Sequence, residues 1–213
     1  MKIILKELEV KSRLIDDYTN SYIIQDVDTK ESMCIDPGGD LEKIIEMLKI
    51  LDAKLKYIFL THSHMDHIQE AQKLKEKLGG DILIYRKADE NINNPNVNLS
   101  SMLNENIEIK EYARVDDNDI LHVGGIELKV IYTPGHTNDS VSLYSKEENI
   151  IFTGDTLMCM GCGRTDLPTG NKNDLNKSLK KLFMLPDETF VYPGHGMATT
   201  IKDEKERYLW YKD

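Results

Sequence analysis

Five of the chain's six histidines fall in three short clusters spaced like metal-ligand motifs. The first is His62-Ser-His64-Met-Asp66-His67. The others are Pro-Gly-His136-Thr and Pro-Gly-His195-Gly, and Asp155 in Gly154-Asp155 lies between them. Imidazole and carboxylate together suit divalent zinc, iron or manganese. Seven such groups exceed the needs of one tetrahedral ion and match those of two adjacent ions, with zinc the first expectation and iron or manganese the other candidates. In an extended segment side chains two apart point the same way, so His62 and His64 can grip one ion while Asp66 and His67 turn towards a second. His136 and His195 can complete one ion each, and Asp155, with two oxygens, can bridge both.

Such a pair of ions implies hydrolysis. A water bridging them is a hydroxide near neutral pH, because a single zinc already brings its bound water to a pKa of about 7. That hydroxide would be the nucleophile towards a thioester or ester carbonyl, and Asp66 is placed to orient it or accept its proton. A thiolate leaving group needs little protonation, so no dedicated acid is required.

Short strands must position these groups. Every cluster follows an apolar, strand-like run, at residues 57–60, 130–132, 150–152 and 190–192. Ligands are therefore expected on loops leaving strand ends, where Gly and Pro shape the turn. Between the strands lie helical stripes. Leu41, Ile44, Ile45 and Leu48 form one, opened by Asp40 as N-cap. Ile68, Ala71, Leu74 and Leu78 form another, ended by Gly79-Gly80. A third begins near Asn173-Asp174, buries Leu175, Leu179, Leu182 and Phe183, and stops at Pro186; a last one starts near Thr200. Residues 86–119 are the least regular stretch, rich in Asn, and read as either disordered or a lid over the site.

The ligand order resembles that of the metallo-β-lactamase superfamily, whose signature is a His-x-His-x-Asp-His loop, then a single His, a bridging Asp and a last His. The resemblance runs from Ile35-Asp-Pro-Gly-Gly39 through Phe152-Thr-Gly-Asp-Thr156 and Gly161-Cys-Gly-Arg-Thr-Asp166 to Val191-Tyr-Pro-Gly-His-Gly196. Within the superfamily it is most similar to the glyoxalase II-type hydrolases. It implies an α/β fold, the αββα sandwich, with His62, His64 and His136 on one metal, Asp66, His67 and His195 on the other, and Asp155 between them. For residues 86–119 it implies a lid.

Length and composition agree with one compact domain over residues 1–213: 40% of the chain is hydrophobic and no linker or low-complexity stretch divides it. A net charge of −10 and a pI near 5.1 argue against a nucleic-acid surface, so the expected partner is a small-molecule substrate. Nothing in the sequence speaks to oligomeric state. The amino terminus, Met1 to Val10, reads as a first strand rather than a signal peptide, and no apolar run is long enough for a membrane. A cytoplasmic location is expected, which counts against a secreted antibiotic-destroying enzyme, and the three cysteines fit a reducing compartment. Cys34 reads as a buried strand residue and His122 as structural. Cys159 and Cys162 form a C-x-x-C with no second pair to complete a structural zinc site, and read as loop packing beside the metals. Lys177, Lys180 and Lys181 read as a solvated helix face.

Glyoxalase II enzymes carry a Lys and a Tyr after Gly-Cys-Gly for glutathione, where this chain has Arg164 and Asp166. The substrate expected is thus a small acyl thioester or ester. Arg164 either clamps a substrate carboxylate or pairs with Asp166 or another loop carboxylate. The persulfide dioxygenases are the alternative, resembling this chain through Gly-Cys-Gly-Arg-Thr-Asp and implying one iron on His62, His136 and Asp155. Against them stands Gly196, where dioxygenases tend to have Ala. A metal-binding module without turnover is the third, least favoured reading.

Overall fold

The computed structural model describes residues 3–12 and 18–210. Twelve strands build two six-stranded sheets among these residues. The first sheet holds β1 (Ile3–Lys11), β2 (Tyr18–Asp26), β3 (Glu31–Ile35), β4 (Lys54–Phe59), β5 (Asp81–Tyr85) and β6 (Ala113–Val115) in sequence order. Its first three strands are antiparallel neighbours, and β3 to β6 run parallel. The expected first strand is β1; Met1 and Lys2 lie outside the described residues.

The second sheet runs β12 (Thr199–Thr200), β11 (Phe190–Pro193), β10 (Ile150–Gly154), β9 (Val141–Ser145), β8 (Ile126–Tyr132) and β7 (Ile120–Val123). It is antiparallel except for the β10 and β11 pair. Among the described residues five helices complete the fold: α1 (Leu41–Ile50), α2 (Met65–Ile68), α3 (Ala71–Leu78), α4 (Lys172–Leu182) and α5 (Ile201–Trp210).

Three apolar layers make this the expected αββα sandwich. Ile23, Cys34 and Ile58 face outward from the first sheet against Ile44, Ile45, Leu48 and Leu74 of α1 and α3. Their chain neighbours Ile24, Ile35 and Phe59 face inward and meet Leu128, Val130, Leu143 and Phe152 of the second sheet. Ile151 and Val191 face outward from that sheet against Leu175, Leu179, Leu182 and Ile201 of α4 and α5. Strands buried on both faces read as continuous apolar runs, which is why 57–60 and 150–152 show no polar alternation. Tyr22 ties the sheets together, its ring packing tilted against Phe152 at 5.1 Å and its hydroxyl donating to the Pro193 carbonyl at 2.6 Å. No helix among the described residues is long and apolar enough to cross a membrane.

Three local readings differ in detail. Asp40 takes the expected N-cap position of α1, its carbonyl accepting the Ile44 N–H at 3.2 Å, but its carboxylate makes no capping bond and accepts the Lys11 N–H at 2.9 Å instead. The stripe from Ile68 to Leu78 is split at Gln69-Glu70, because Asp66 and His67 occupy the separate single turn α2. Residues 86–112 are an ordered segment built of two 3-10 turns, Arg86–Glu90 and Ser100–Leu103. Its asparagines do the work of regular structure: Asn93 exchanges two hydrogen bonds with the Ile109 backbone, and the Asn98 carbonyl accepts the Met65 N–H at 2.8 Å.

Candidate metal centre

All seven ligand candidates meet at one end of the sandwich. The chain leaves β4 through Thr61, His62, Ser63 and His64, still extended at His64, and turns into α2 with Asp66 and His67. His136 follows β8, Asp155 follows β10 directly, and His195 lies two residues beyond β11. His195 is the most accessible, its side chain 20% exposed; the other six are buried.

Two sets of ligand atoms emerge. In the first, His64 Nδ1 lies 3.2 Å from His62 Nε2 and 3.0 Å from His136 Nε2. In the second, His195 Nε2 is 3.3 Å from Asp66 Oδ2, and His67 Nε2 is 3.8 Å from that same oxygen. Asp155 reaches both: Oδ1 lies 3.4 Å from His67 Nε2, and Oδ2 lies 3.4 Å from His136 Nε2 and 3.6 Å from His195 Nε2. His62-His64-His136 and Asp66-His67-His195 each form a group close enough to hold one ion, and so does His62-His67-Asp155.

The outward-facing ring nitrogens are held by the protein. His136 Nδ1–H donates to the Arg164 carbonyl and His195 Nδ1–H to the Tyr18 carbonyl, each at 2.8 Å. His67 Nδ1 meets Asp36 Oδ2 at 2.9 Å. The Thr61 hydroxyl spends its one hydrogen on Asp36 Oδ2 at 2.6 Å, so at 3.1 Å it accepts from His62 Nδ1–H. Four imidazoles therefore present Nε2 inward with the tautomer fixed. His64 alone presents Nδ1, and its Nε2 is buried without a hydrogen-bond partner.

These donors fit divalent ions. Buried polar atoms ordinarily find partners, yet His67 Nε2 and Asp155 Oδ1 face each other with none. The electrostatics point the same way. Burial, with His67 and His64 nearby, pushes the His62 pKa well below the imidazole range, and burial with His136 beside it takes His64 to about 3. Both are held neutral, as ligands must be. Burial works against charge at His67 as well, but Asp155, Asp66 and Asp36 overcome it and raise its pKa to about 10. At His195, burial is likewise overcome by the hydrogen bond to Asp66 and by Asp155, giving about 9. Burial would raise the Asp66 and Asp155 carboxyls; His67 and His195 instead draw both below the usual range. The buried carboxylates of Asp66 and Asp155 thus require positive charge, which protons on His67 and His195 or divalent cations supply.

Gly194 is required by contact. A Cβ there would overlap Asp155 Oδ1 and His67 Cε1, so only glycine lets β11 pass this close to the ligands.

Asp36 is the residue that ligand spacing missed. Its sole sequence signal is its place in Asp36-Pro-Gly-Gly, a run that resembles the family's first motif. Besides His67 and the Thr61 hydroxyl it accepts the Thr61 N–H at 2.8 Å. Arg164 lies at the mouth of the site, its guanidinium forked onto Asp166 through two 2.6 Å hydrogen bonds, with both side chains exposed. His122 is exposed on β7 and Cys34 is buried on β3. Cys159 and Cys162 are free thiols in the loop beyond Asp155, with Cys159 Sγ 4.0 Å from the Arg207 guanidinium. Lys177 pairs with Asp174 at 2.9 Å and Lys181 reaches the Tyr132 carbonyl at 2.6 Å, so that helix face is solvated as expected.

A family described as the Metallo-beta-lactamase superfamily matches residues 14–195. Hydroxyacylglutathione hydrolase GloC of Haemophilus influenzae is 33% identical over 189 residues, covering 84% of this chain and 86% of the relative. Among solved structures, BLEG-1 B3 metallo-beta-lactamase superposes with a TM-score of 0.86 at 33% identity, covering 95% of this chain and 97% of its own. ETHE1 from Myxococcus xanthus gives 0.77 at 33% identity, covering 96% and 82%.

Proposed function

Because the chain belongs to the metallo-β-lactamase superfamily, we propose that it is a dinuclear metal-dependent hydrolase acting on a small acyl thioester or ester. The observation that carries this reading is the division of seven converging side chains into two groups with Asp155 reaching both. His62, His64 and His136 would hold one ion, Asp66, His67 and His195 the other, and Asp155 would bridge them. Zinc suits this mixture of imidazole and carboxylate, and so do iron and manganese. When bound, two such ions supply hydroxide at neutral pH and polarise a carbonyl oxygen.

The remaining work falls to the chain itself. Asp66, ionised between His67 and His195, accepts a hydrogen bond from the attacking water and fixes its direction. The new bond joins water oxygen to acyl carbon as a water proton passes to Asp66, the carbon–sulfur or carbon–oxygen bond breaks, and the leaving group departs as a thiolate or, taking that proton back from Asp66, as an alcohol. Asp36 and Thr61 keep His62 and His67 in register through the cycle. Arg164, at the rim, can take a substrate carboxylate by exchanging its partner Asp166. The likeness to GloC supports acyl-thioester chemistry.

The likeness to ETHE1, together with Gly161-Cys-Gly-Arg-Thr-Asp166, supports one second reading, a mononuclear iron persulfide dioxygenase using His62, His136 and Asp155. Elemental analysis of metal-loaded protein, paired with assays on thioesters, esters, a β-lactam and glutathione persulfide, separates the two. Two ions per chain with thioester or ester hydrolysis are expected. One iron per chain with oxygen uptake on the persulfide would overturn the hydrolase.

A further inference from the structure

Above the ligand cluster lies a cavity of about 310 Å³ whose wall is apolar. Leu99 and Met102 enter it from the 3-10 segment, and Met158 and Leu167 from the loop beyond Asp155. Among its lining residues Arg164 is the one charged side chain outside the ligand cluster, and Asp166 already neutralises it.

The wall is fixed relative to the ligands. Leu99 sits at φ 69, a left-handed conformation that a side chain with a Cβ keeps only where its surroundings impose it. Asn98 imposes it here: its side chain accepts the Ser100 N–H at 2.9 Å and donates to the Ile92 carbonyl at 2.8 Å, and its carbonyl holds Met65 at the start of α2. Leu99 is thereby tied to the helix that carries Asp66 and His67, and it is 8% exposed. Met102, by contrast, is 67% exposed at the cavity mouth.

We propose that Leu99, Met102, Met158 and Leu167 form a subsite for an unbranched apolar acyl chain, so that the substrate is a medium-chain acyl thioester or ester. This deepens the hydrolase reading and rests on it. At roughly 30 Å³ per water-sized group, the cavity holds about ten groups. The reacting carbonyl, its leaving atom and a water take about four, leaving room for a chain of about six carbons. Methionine's flexible thioether suits a chain that adopts several rotamers.

The test has two arms. With metal-loaded protein and acyl thioesters of a neutral thiol, kcat/KM should rise about threefold to fourfold per methylene from acetyl to hexanoyl, the worth of a buried CH₂, and then fall beyond about eight carbons, where the chain outgrows the cavity. Met102→Trp should lower the octanoyl-to-acetyl ratio of kcat/KM at least tenfold. With metal-free protein carrying ¹³C-methyl methionine, 2-octanone should shift the Met102 and Met158 methyl resonances, whereas acetone should not. A flat chain-length profile with unmoved methionine signals overturns the subsite and leaves the hydrolase standing. Methionine shifts without hydrolysis of any ester or thioester keep the subsite and overturn the hydrolase.

Discussion

Asp36 Oδ2 lies 2.9 Å from His67 Nδ1 with both side chains almost wholly removed from solvent, and the same oxygen accepts the Thr61 hydroxyl that in turn receives His62 Nδ1–H. One carboxylate thus orients a ligand from each of the two proposed metal groups. Carboxylates placed behind metal-bound imidazoles typically change metal affinity by 10- to 100-fold when removed. Asp36→Ala is expected to weaken binding at both positions by about that factor, read as dissociation constants by competition with a chromophoric chelator. Asp36→Asn, which keeps an acceptor oxygen, should recover part of it. Unchanged affinities in both variants would remove this role.

Metal uptake should expel protons. His67, raised to about 10, and His195, raised to about 9, both carry protons in metal-free protein at pH 7.5. A coordinating imidazole must be neutral and the bound water ionises, so about three protons per chain are expected to leave on loading, two from the imidazoles and one from the water. Calorimetry in buffers of different ionisation enthalpy measures that number, and a value near zero would contradict the charge balance described.

The same shifts set the stability of the metal-free protein. Both folded pKa values lie above the unfolded imidazole value of about 6.5, so their contribution is fully present below that pH and is lost as pH rises through about 9 to 10. Thermal melts should show the metal-free Tm falling from pH 7 to 10 while the loaded protein holds its own. A metal-free Tm that rises across this range would contradict it.

Asp66 is buried against His67 and His195, and it is proposed both to bind the second ion and to direct the attacking water. Asp66→Asn is nearly isosteric and should leave circular dichroism unchanged while reducing turnover by about 10²-fold or more. Near wild-type turnover in a fully loaded variant would exclude that role.

The exposed Arg164–Asp166 fork should contribute little to stability, since solvent screens it. Its effect is expected in KM instead. Arg164→Ala should raise KM for a carboxylate-bearing substrate about tenfold, and Arg164→Lys should recover only part of it. Asp166→Asn should lower that KM by releasing the arginine. A drop in Tm without change in KM would assign the pair to loop structure.

The candidate ligand set was legible in the sequence because metal coordination imposes dense local constraints: three imidazoles and a carboxylate within six residues, and Pro-Gly-His twice. The strands were legible because β4 and β10 are buried on both faces, and α4 because Leu175, Leu179 and Leu182 keep one face apolar. Asp36 was not legible as a support, since its three bonds reach residues 25 and 31 positions away, and no local pattern encodes a hydrogen bond closed by the pairing of β3 with β4. Nor was β6, a three-residue edge strand whose pairing with β5 comes from the sheet rather than from its own residues. Residues 86–119 looked irregular because, over 86–112, Asn side chains replace backbone ladders, and only the fold shows that this segment sets Leu99 over the candidate ligands. Sequence determined which atoms can bind metal, because coordination chemistry resides in residue type and short spacing. Tertiary structure decided which atoms face one another, how they are charged and what surrounds the space above them, because those depend on distances between segments far apart in the chain.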